Sequence, residues 1–148
     1  MKIVMKFITK SEKQTIALGK KLARRLKGGE VLALTGQLGA GKTTLIKGLA
    51  QGLGIKRIIT SPTFLLMRVY GVRGNKKGIK TLVHIDCYRL KSSKDILAIG
   101  AQEYFGQKDV VAVIEWADKI TKILPRQKLN IVLKWKDQNQ RRINFYGI

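Results

Sequence analysis

Cysteine is almost absent from this 148-residue chain, and Cys87 is the only one. No intramolecular disulfide can form, and no cysteine-based metal site can be assembled. No run of about eighteen apolar residues occurs, which argues against a membrane span. The stretch from Met1 to Lys10 has apolar residues broken by lysines. It lacks the apolar core and cleavage site of a secretion signal. Together these gaps suit a reducing, cytoplasmic setting. Internal repeats and low-complexity stretches are also missing. Acidic residues are scarce: nine Asp and Glu stand against 30 Lys and Arg, a formal charge of +21. A field of that sign attracts nucleic acid or any other polyanion. The same cations, spread along the chain, also suit ordinary solvated faces.

What is present is one dense stretch, Gly36-Gln37-Leu38-Gly39-Ala40-Gly41-Lys42-Thr43, with Thr44 after it. It fits G-x-x-x-x-G-K-[ST], a phosphate-binding loop. The glycines let successive backbone N–H groups turn inward around phosphate oxygens. Lys42 would reach the β- and γ-phosphates, and the Thr43 hydroxyl would ligate Mg²⁺. The pattern needs a strand before it and a helix after it. Glu30 to Thr35 reads as that strand. Thr44 to Leu53, with Leu45, Ile46, Leu49, Ala50 and Leu53 at helical spacing, reads as that helix.

Hydrophobic residues make up 45% of the chain, enough for one domain, residues 1–148, with a real core. Residues 2–8 read as a strand. Ser11 and Gln14 form a capping box for a helix reaching about Lys27, stopped by Gly28-Gly29. Pro62 biases Ile58 to Phe64 toward a loop carrying Thr60, Ser61 and Thr63. A strand from Phe64 to Tyr70, a basic hairpin loop from Gly71 to Gly78, and a strand from Ile79 to Asp86 follow. A short helix near Asp95 to Ile99 and a turn around 100–105 lead to Asp109–Glu115, an apolar strand ending in a carboxylate. Such a strand resembles Walker B. A short helix over 117–123 precedes two alternating stretches, 129–135 and 141–146, that predict a terminal antiparallel hairpin. The fold class is therefore α/β: a P-loop NTPase-like mixed sheet with flanking helices and a C-terminal hairpin.

Phosphoryl chemistry needs a phosphate cradle, a metal, a water positioner and a sensor of the γ-phosphate. The glycine loop supplies the cradle and Thr43 one metal ligand. Asp86 and Glu115 end strands expected beside the loop's own strand. One of them would hold Mg²⁺ and the other orient water, and the sequence does not divide the two roles. A hydroxyl of the Ser61-Pro62-Thr63 loop would sense the γ-phosphate, by analogy with other P-loop hydrolases.

The ordered pieces carry a resemblance. Gly36 to Thr44, Gly52-Leu-Gly54, Ser61-Pro-Thr-Phe64, His84-Ile-Asp-Cys-Tyr-Arg89, Glu103-Tyr-Phe105, Ile114-Glu-Trp116 and Arg141-Arg-Ile-Asn-Phe145 together resemble the TsaE family. These are P-loop ATPases of bacterial tRNA threonylcarbamoyladenosine biosynthesis. The resemblance implies ATP or ADP and Mg²⁺ as cofactors and TsaB and TsaD as partners. Those partners add threonylcarbamoyl to the adenosine beside the anticodon of tRNAs reading codons that begin with A. It places Thr43, Glu115 and Asp86 at the metal site. Lys42, Asp86 and Glu115 are the expected catalytic groups. Ser11, Thr63, Trp116 and Arg141 are expected near the nucleotide, with the loop from Gly36 to Thr44. Cys87, Ala117 and Leu65 depart from common choices of Leu or Val, Pro and Thr. The high positive charge is also unlike the family and leaves room for direct tRNA contact.

Three other readings are weaker. A small GTPase needs Asn-Lys-x-Asp, and Asn75-Lys76-Lys77-Gly78 lacks the Asp. A small-molecule kinase needs a lid and an acceptor pocket, for which the chain has little length. A basic RNA-binding module with an inactive loop conflicts with the intact Lys42, Thr43 and Glu115.

Overall fold

The computed structural model describes residues 2–62 and 64–147. Its strands are β1 (Ile3–Thr9), β2 (Val31–Thr35), β3 (Met67–Gly71), β4 (Thr81–Asp86), β5 (Val110–Glu115), β6 (Leu129–Trp135) and β7 (Arg141–Tyr146). Its α-helices are α1 (Glu12–Arg25), α2 (Lys42–Gly52) and α3 (Ser93–Ala98). Two 3₁₀ turns span Ala101–Tyr104 and Ala117–Ile120. The strands form one sheet in the order β1-β7-β6-β2-β5-β4-β3. The central four, β6, β2, β5 and β4, run parallel. β3, β7 and β1 join antiparallel at the two sides.

Strands β2 and β5 are apolar at almost every position because both faces are covered. Alternation divides the side chains of β2, β4 and β5 between two cores. Leu32, Leu34, Leu82, Val111 and Val113 pack toward α1 and α2. Val31, Ala33, Val83, Ile85, Ala112 and Ile114 pack on the other side, with Ile96, Ala101 and Ile120. β6 and β7 form the expected C-terminal hairpin, with Ile131 paired to Phe145 and Leu133 to Ile143.

Helix α1 starts where the capping box predicts. The Gln14 N–H donates to Ser11 Oγ at 3.1 Å, and Gln14 Oε1 accepts from the Lys10 N–H at 2.7 Å. Helices α1 and α2 then approach backbone to backbone. A Cβ at Gly48 would lie within 2.9 Å of the Ile16 carbonyl carbon and Cα and would overlap the carbonyl oxygen. In an exposed helix, Gly→Ala stabilises by about 1 kcal/mol. Here overpacking reverses the sign. Gly48→Ala is expected to cost about 1–3 kcal/mol, seen as a lower urea midpoint at unchanged m-value.

The largest departure from the sequence reading follows Pro62. The strand predicted from Phe64 begins only at Met67, because residues 64–66 form a turn. The N–H groups of Leu65 and Leu66 both bond to the Pro62 carbonyl, and Leu66 is left-handed at φ 64°. Phe64 and Leu65 consequently stand in solvent, 82% and 62% exposed.

Candidate nucleotide site

Glycine geometry shapes the loop after β2. Gly39 and Gly41 have φ of 81° and 98°, values that a side chain disfavours. Gly41 is the N-cap of α2 and carries no capping side chain. The free N–H groups of the first turn are therefore left to whatever enters the cleft above them. Ser11, the N-cap of α1, lines the same cleft. Two helix amino-termini thus bring positive partial charge to one place, which favours an anion.

The cleft holds about 620 Å³ and lies at the carboxyl ends of β2, β4 and β5. Parallel register sets Glu115 beside Leu34 and Asp86 beside Glu115. Both carboxylates are therefore held at the cleft floor by the central sheet. Thr43 Oγ1 donates to Glu115 Oε1 at 2.8 Å. Glu115 Oε2 lies 2.6 Å from Nε2 of His84, whose side chain is fully buried. A carboxylate only accepts, so Nε2 carries the proton. His84 Nδ1 has no hydrogen-bond partner among the described residues. As a bare lone pair it is a cheaper orphan than an N–H would be. Asp86 is committed differently. Its carboxylate accepts from the Tyr88 N–H at 2.9 Å and from the Ser61 hydroxyl. It thereby ties the loop before β3 to the end of β4.

Lys42 is 5% exposed, and its ammonium donates to the carbonyls of Gly36 and Gln37, the latter at 2.9 Å. It also lies 4.2 Å from the centre of the Trp116 ring. Burial lowers its pKa from the ordinary lysine value, while Glu115, Asp86 and Asp118 oppose the shift. Trp116 adopts φ 56°, a left-handed conformation uncommon for a bulky residue. That turn swings its indole over Lys42 and against Tyr88, with ring centres 5.0 Å apart. Arg141, from β7, donates through Nε to the Gly39 carbonyl at 3.2 Å and so braces the loop tip.

Of the sequence-predicted residues, Ser11, Leu38, Gly39, Gly41, Lys42, Thr43, Thr44, Ser61, Asp86, Glu115, Trp116 and Arg141 line this cleft. Gly36, Gln37 and Ala40 do not. Ala40 is fully buried, and Gly36 and Gln37 present their carbonyls to Lys42. Thr63 lies outside the described residues. Glu12, Thr15, Tyr88, Arg89, Gln138 and Asn139 also line the cleft, and sequence reasoning does not single them out as site residues. Gln138 and Asn139 sit in the β6–β7 turn, whose polar sequence reads as any exposed turn. Glu12 and Thr15 follow Ser11 on the first turn of α1, so the capping signal at Ser11 is the available clue.

Cys87 borders the site but is closed off. Burial, reinforced by the Asp86 carboxylate, pushes its thiol up to about 12. At pH 9 its thiolate fraction falls from about one half to about one in a thousand. Native protein should therefore resist alkylation at pH 9, and denatured protein should react rapidly. The folded state holds this proton longer than the unfolded chain. Stability is thus expected to fall as pH rises from about 9 toward 12.

A seven-stranded mixed sheet, with a glycine loop capping a helix and carboxylates at the ends of two neighbouring parallel strands, defines a mixed α/β fold with a cleft at its carboxyl edge. Comparison with known proteins narrows the class. The sequence matches the family described as "Threonylcarbamoyl adenosine biosynthesis protein TsaE" over residues 9–143. The tRNA threonylcarbamoyladenosine biosynthesis protein TsaE of Bacillus subtilis is 40% identical over 144 residues, covering 97% of this chain and 86% of that protein. The protein of the same name from Treponema pallidum is 44% identical over 131 residues, covering 88% and 91%. The crystal structure of YdiB from Bacillus subtilis superposes with a TM-score of 0.78 at 39% identity, covering 97% of this chain and 85% of that one. The chain belongs to the TsaE family. Among the described residues, no helix is long and apolar enough to cross a membrane.

Proposed function

We propose that this protein is a slow, Mg²⁺-dependent ATPase of tRNA threonylcarbamoyladenosine biosynthesis. Its nucleotide cycle would support TsaB and TsaD as they add threonylcarbamoyl to the adenosine beside the anticodon. The observation that carries the reading is the bond between Thr43 Oγ1 and Glu115 Oε1. It joins the hydroxyl of a phosphate-binding loop to a carboxylate at a strand end.

The donor set fits Mg²⁺. Thr43 and Glu115 offer hard oxygens side by side, with Asp86 on the adjacent strand. Among the described residues there is no cluster of three or more His, Cys, Asp or Glu that would make an all-protein cage. That suits an ion bound through one or two protein oxygens, with phosphates and water completing its shell. When bound, Mg²⁺ would neutralise charge on the β- and γ-phosphates. Lys42, held below the indole of Trp116, would supply a second positive charge to the phosphates. Glu115, fixed on one oxygen by His84, keeps the other directed at the Thr43 side of the cleft. It is the better placed carboxylate to act on the metal or the attacking water. Asp86 would hold the Ser61 loop against the cleft.

ATP is favoured over GTP. Asn75 to Gly78, the nearest approach to a guanine signature, forms a turn in the β3–β4 hairpin. That hairpin lies at the opposite end of the sheet from the cleft.

Trp116 reports on the site. Adding Mg²⁺ with ADP or ATP is expected to change its fluorescence saturably, with GTP weaker. No response to any nucleotide would refute the site.

A further inference from the structure

The cations look dispersed in the sequence, yet the acids are not interspersed with them. Residues 31–85 contain nine Lys or Arg and no Asp or Glu. Along this segment, between the far half of α2 and residues 54–59, lies a second concavity of about 590 Å³. Lys47, Gln51, Lys56, Arg57 and Ile58 line it, and no carboxylate does. Among the described residues no Lys or Arg is ion-paired to a carboxylate, so these three cations have no carboxylate partner there. The guanidinium of Arg57 sits over the Tyr70 ring at 5.5 Å, which holds its position.

The groove is not an isolated patch. Gly54 borders it, and a Cβ there would stand 3.7 Å from the carbonyl of Arg73 in the β3–β4 hairpin. The Lys77 ammonium of that hairpin bonds to the Arg24 carbonyl near the end of α1. Arg24, Lys56, Arg57, Arg73 and Lys77 are all exposed. Folding therefore brings exposed cations from three separate segments into the neighbourhood of the groove. This groove shares no lining residue with the nucleotide cleft. The two concavities occupy opposite ends of α2.

We propose that this groove binds the phosphate backbone of RNA. An open, acid-free channel with further cations in its neighbourhood suits a polymer that enters and leaves, with a negative charge on every residue. A membrane-binding face would set several apolar side chains among the cations. Here only Ile58, 85% exposed, is both apolar and prominent. The choice of RNA among polyanions rests on the proposed role in tRNA modification. The groove itself does not.

The test uses the full chain without nucleotide and follows a labelled tRNA transcript by fluorescence anisotropy from 50 to 200 mM salt. The triple variant K47Q/K56Q/R57Q is expected to lose at least about tenfold in affinity at 100 mM salt. Its log–log salt slope should shrink by about 2–3, the amount three lost phosphate contacts predict. K91Q/K94Q/K122Q removes three exposed cations elsewhere and should change affinity by less than about threefold. The double variant K56Q/R57Q, confined to a surface segment, should show an intermediate slope. Equal losses in groove and control variants would overturn the proposal. So would tighter binding of polyglutamate than of RNA at matched charge, which would make the groove a seat for an acidic protein. The groove variant should keep the Trp116 response to nucleotide. If unaltered protein lacked that response, the ATPase reading would fail while the RNA measurement still stood.

Discussion

Glu115→Gln is expected to slow ATP turnover by about 10²–10³-fold while changing nucleotide affinity by no more than about threefold. The magnitude is what removing one positioned carboxylate from a reacting site costs, about 3–4 kcal/mol of barrier. Binding should survive because, on the proposed reading, the glycine loop, Lys42 and two helix amino-termini would hold the phosphates. The fold should survive as well. The carbonyl of the substituted side chain can still accept from Thr43 Oγ1. Its amide can donate to His84 once the ring moves its proton to Nδ1, which has no partner in the unaltered protein. The buried N–H left there costs about 1–3 kcal/mol, too little to unfold a domain of this size. Single-turnover hydrolysis and equilibrium binding, measured on the same preparation, separate the two effects. Equal losses in both would refute the role given to Glu115 and would reduce it to a structural anchor for the loop.

Lys42→Ala is expected to weaken nucleotide binding by about 100-fold, with little change in the melting temperature. The first effect follows from losing charge-assisted hydrogen bonds to phosphate, about 1.5–3 kcal/mol each. The second follows from the state of Lys42 in the fold. Its pKa is lowered chiefly by burial, so the cation carries a desolvation cost that its carbonyl bonds and the nearby carboxylates only offset. Removing it loses those bonds and that cost together. The indole lies 4.2 Å from the ammonium, so the resting emission of Trp116 will change in the variant. The deciding quantity is therefore the further change on adding nucleotide, checked by calorimetry. Affinity within threefold of the unaltered protein would contradict the phosphate-binding assignment.

Much of the fold is legible in the sequence because the signals are local and periodic. Apolar runs at 31–35 and 110–115 and alternation at 129–135 and 141–146 mark strands, and the glycine loop marks the turn between β2 and α2. Ser11 and Gln14 locate the start of α1 to the residue. The rest depends on contacts between distant segments. The left-handed turn at Leu66 arises from bonds back to Pro62, and it converts the start of a predicted strand into an exposed corner. The sequence does not divide Asp86 from Glu115, since both are single carboxylates ending apolar strands. The fold separates them through partners 25 and 72 residues away, Ser61 for Asp86 and Thr43 for Glu115. Trp116 is expected beside the site, but its left-handed backbone and its stacking over Lys42 follow only from the packed loop. The gathering of cations around Lys56 and Arg57 is likewise invisible in a chain whose lysines are spread along its length.

That nucleotide turnover here serves tRNA modification is tested most directly by reconstitution. The protein would be combined with TsaB, TsaD, the threonylcarbamoyl donor, ATP, Mg²⁺ and tRNA, and modified adenosine counted per TsaD. Many modifications per TsaD are predicted with this protein, and about one or fewer without it or with Glu115→Gln. Equal modification with and without the protein would contradict the proposed function.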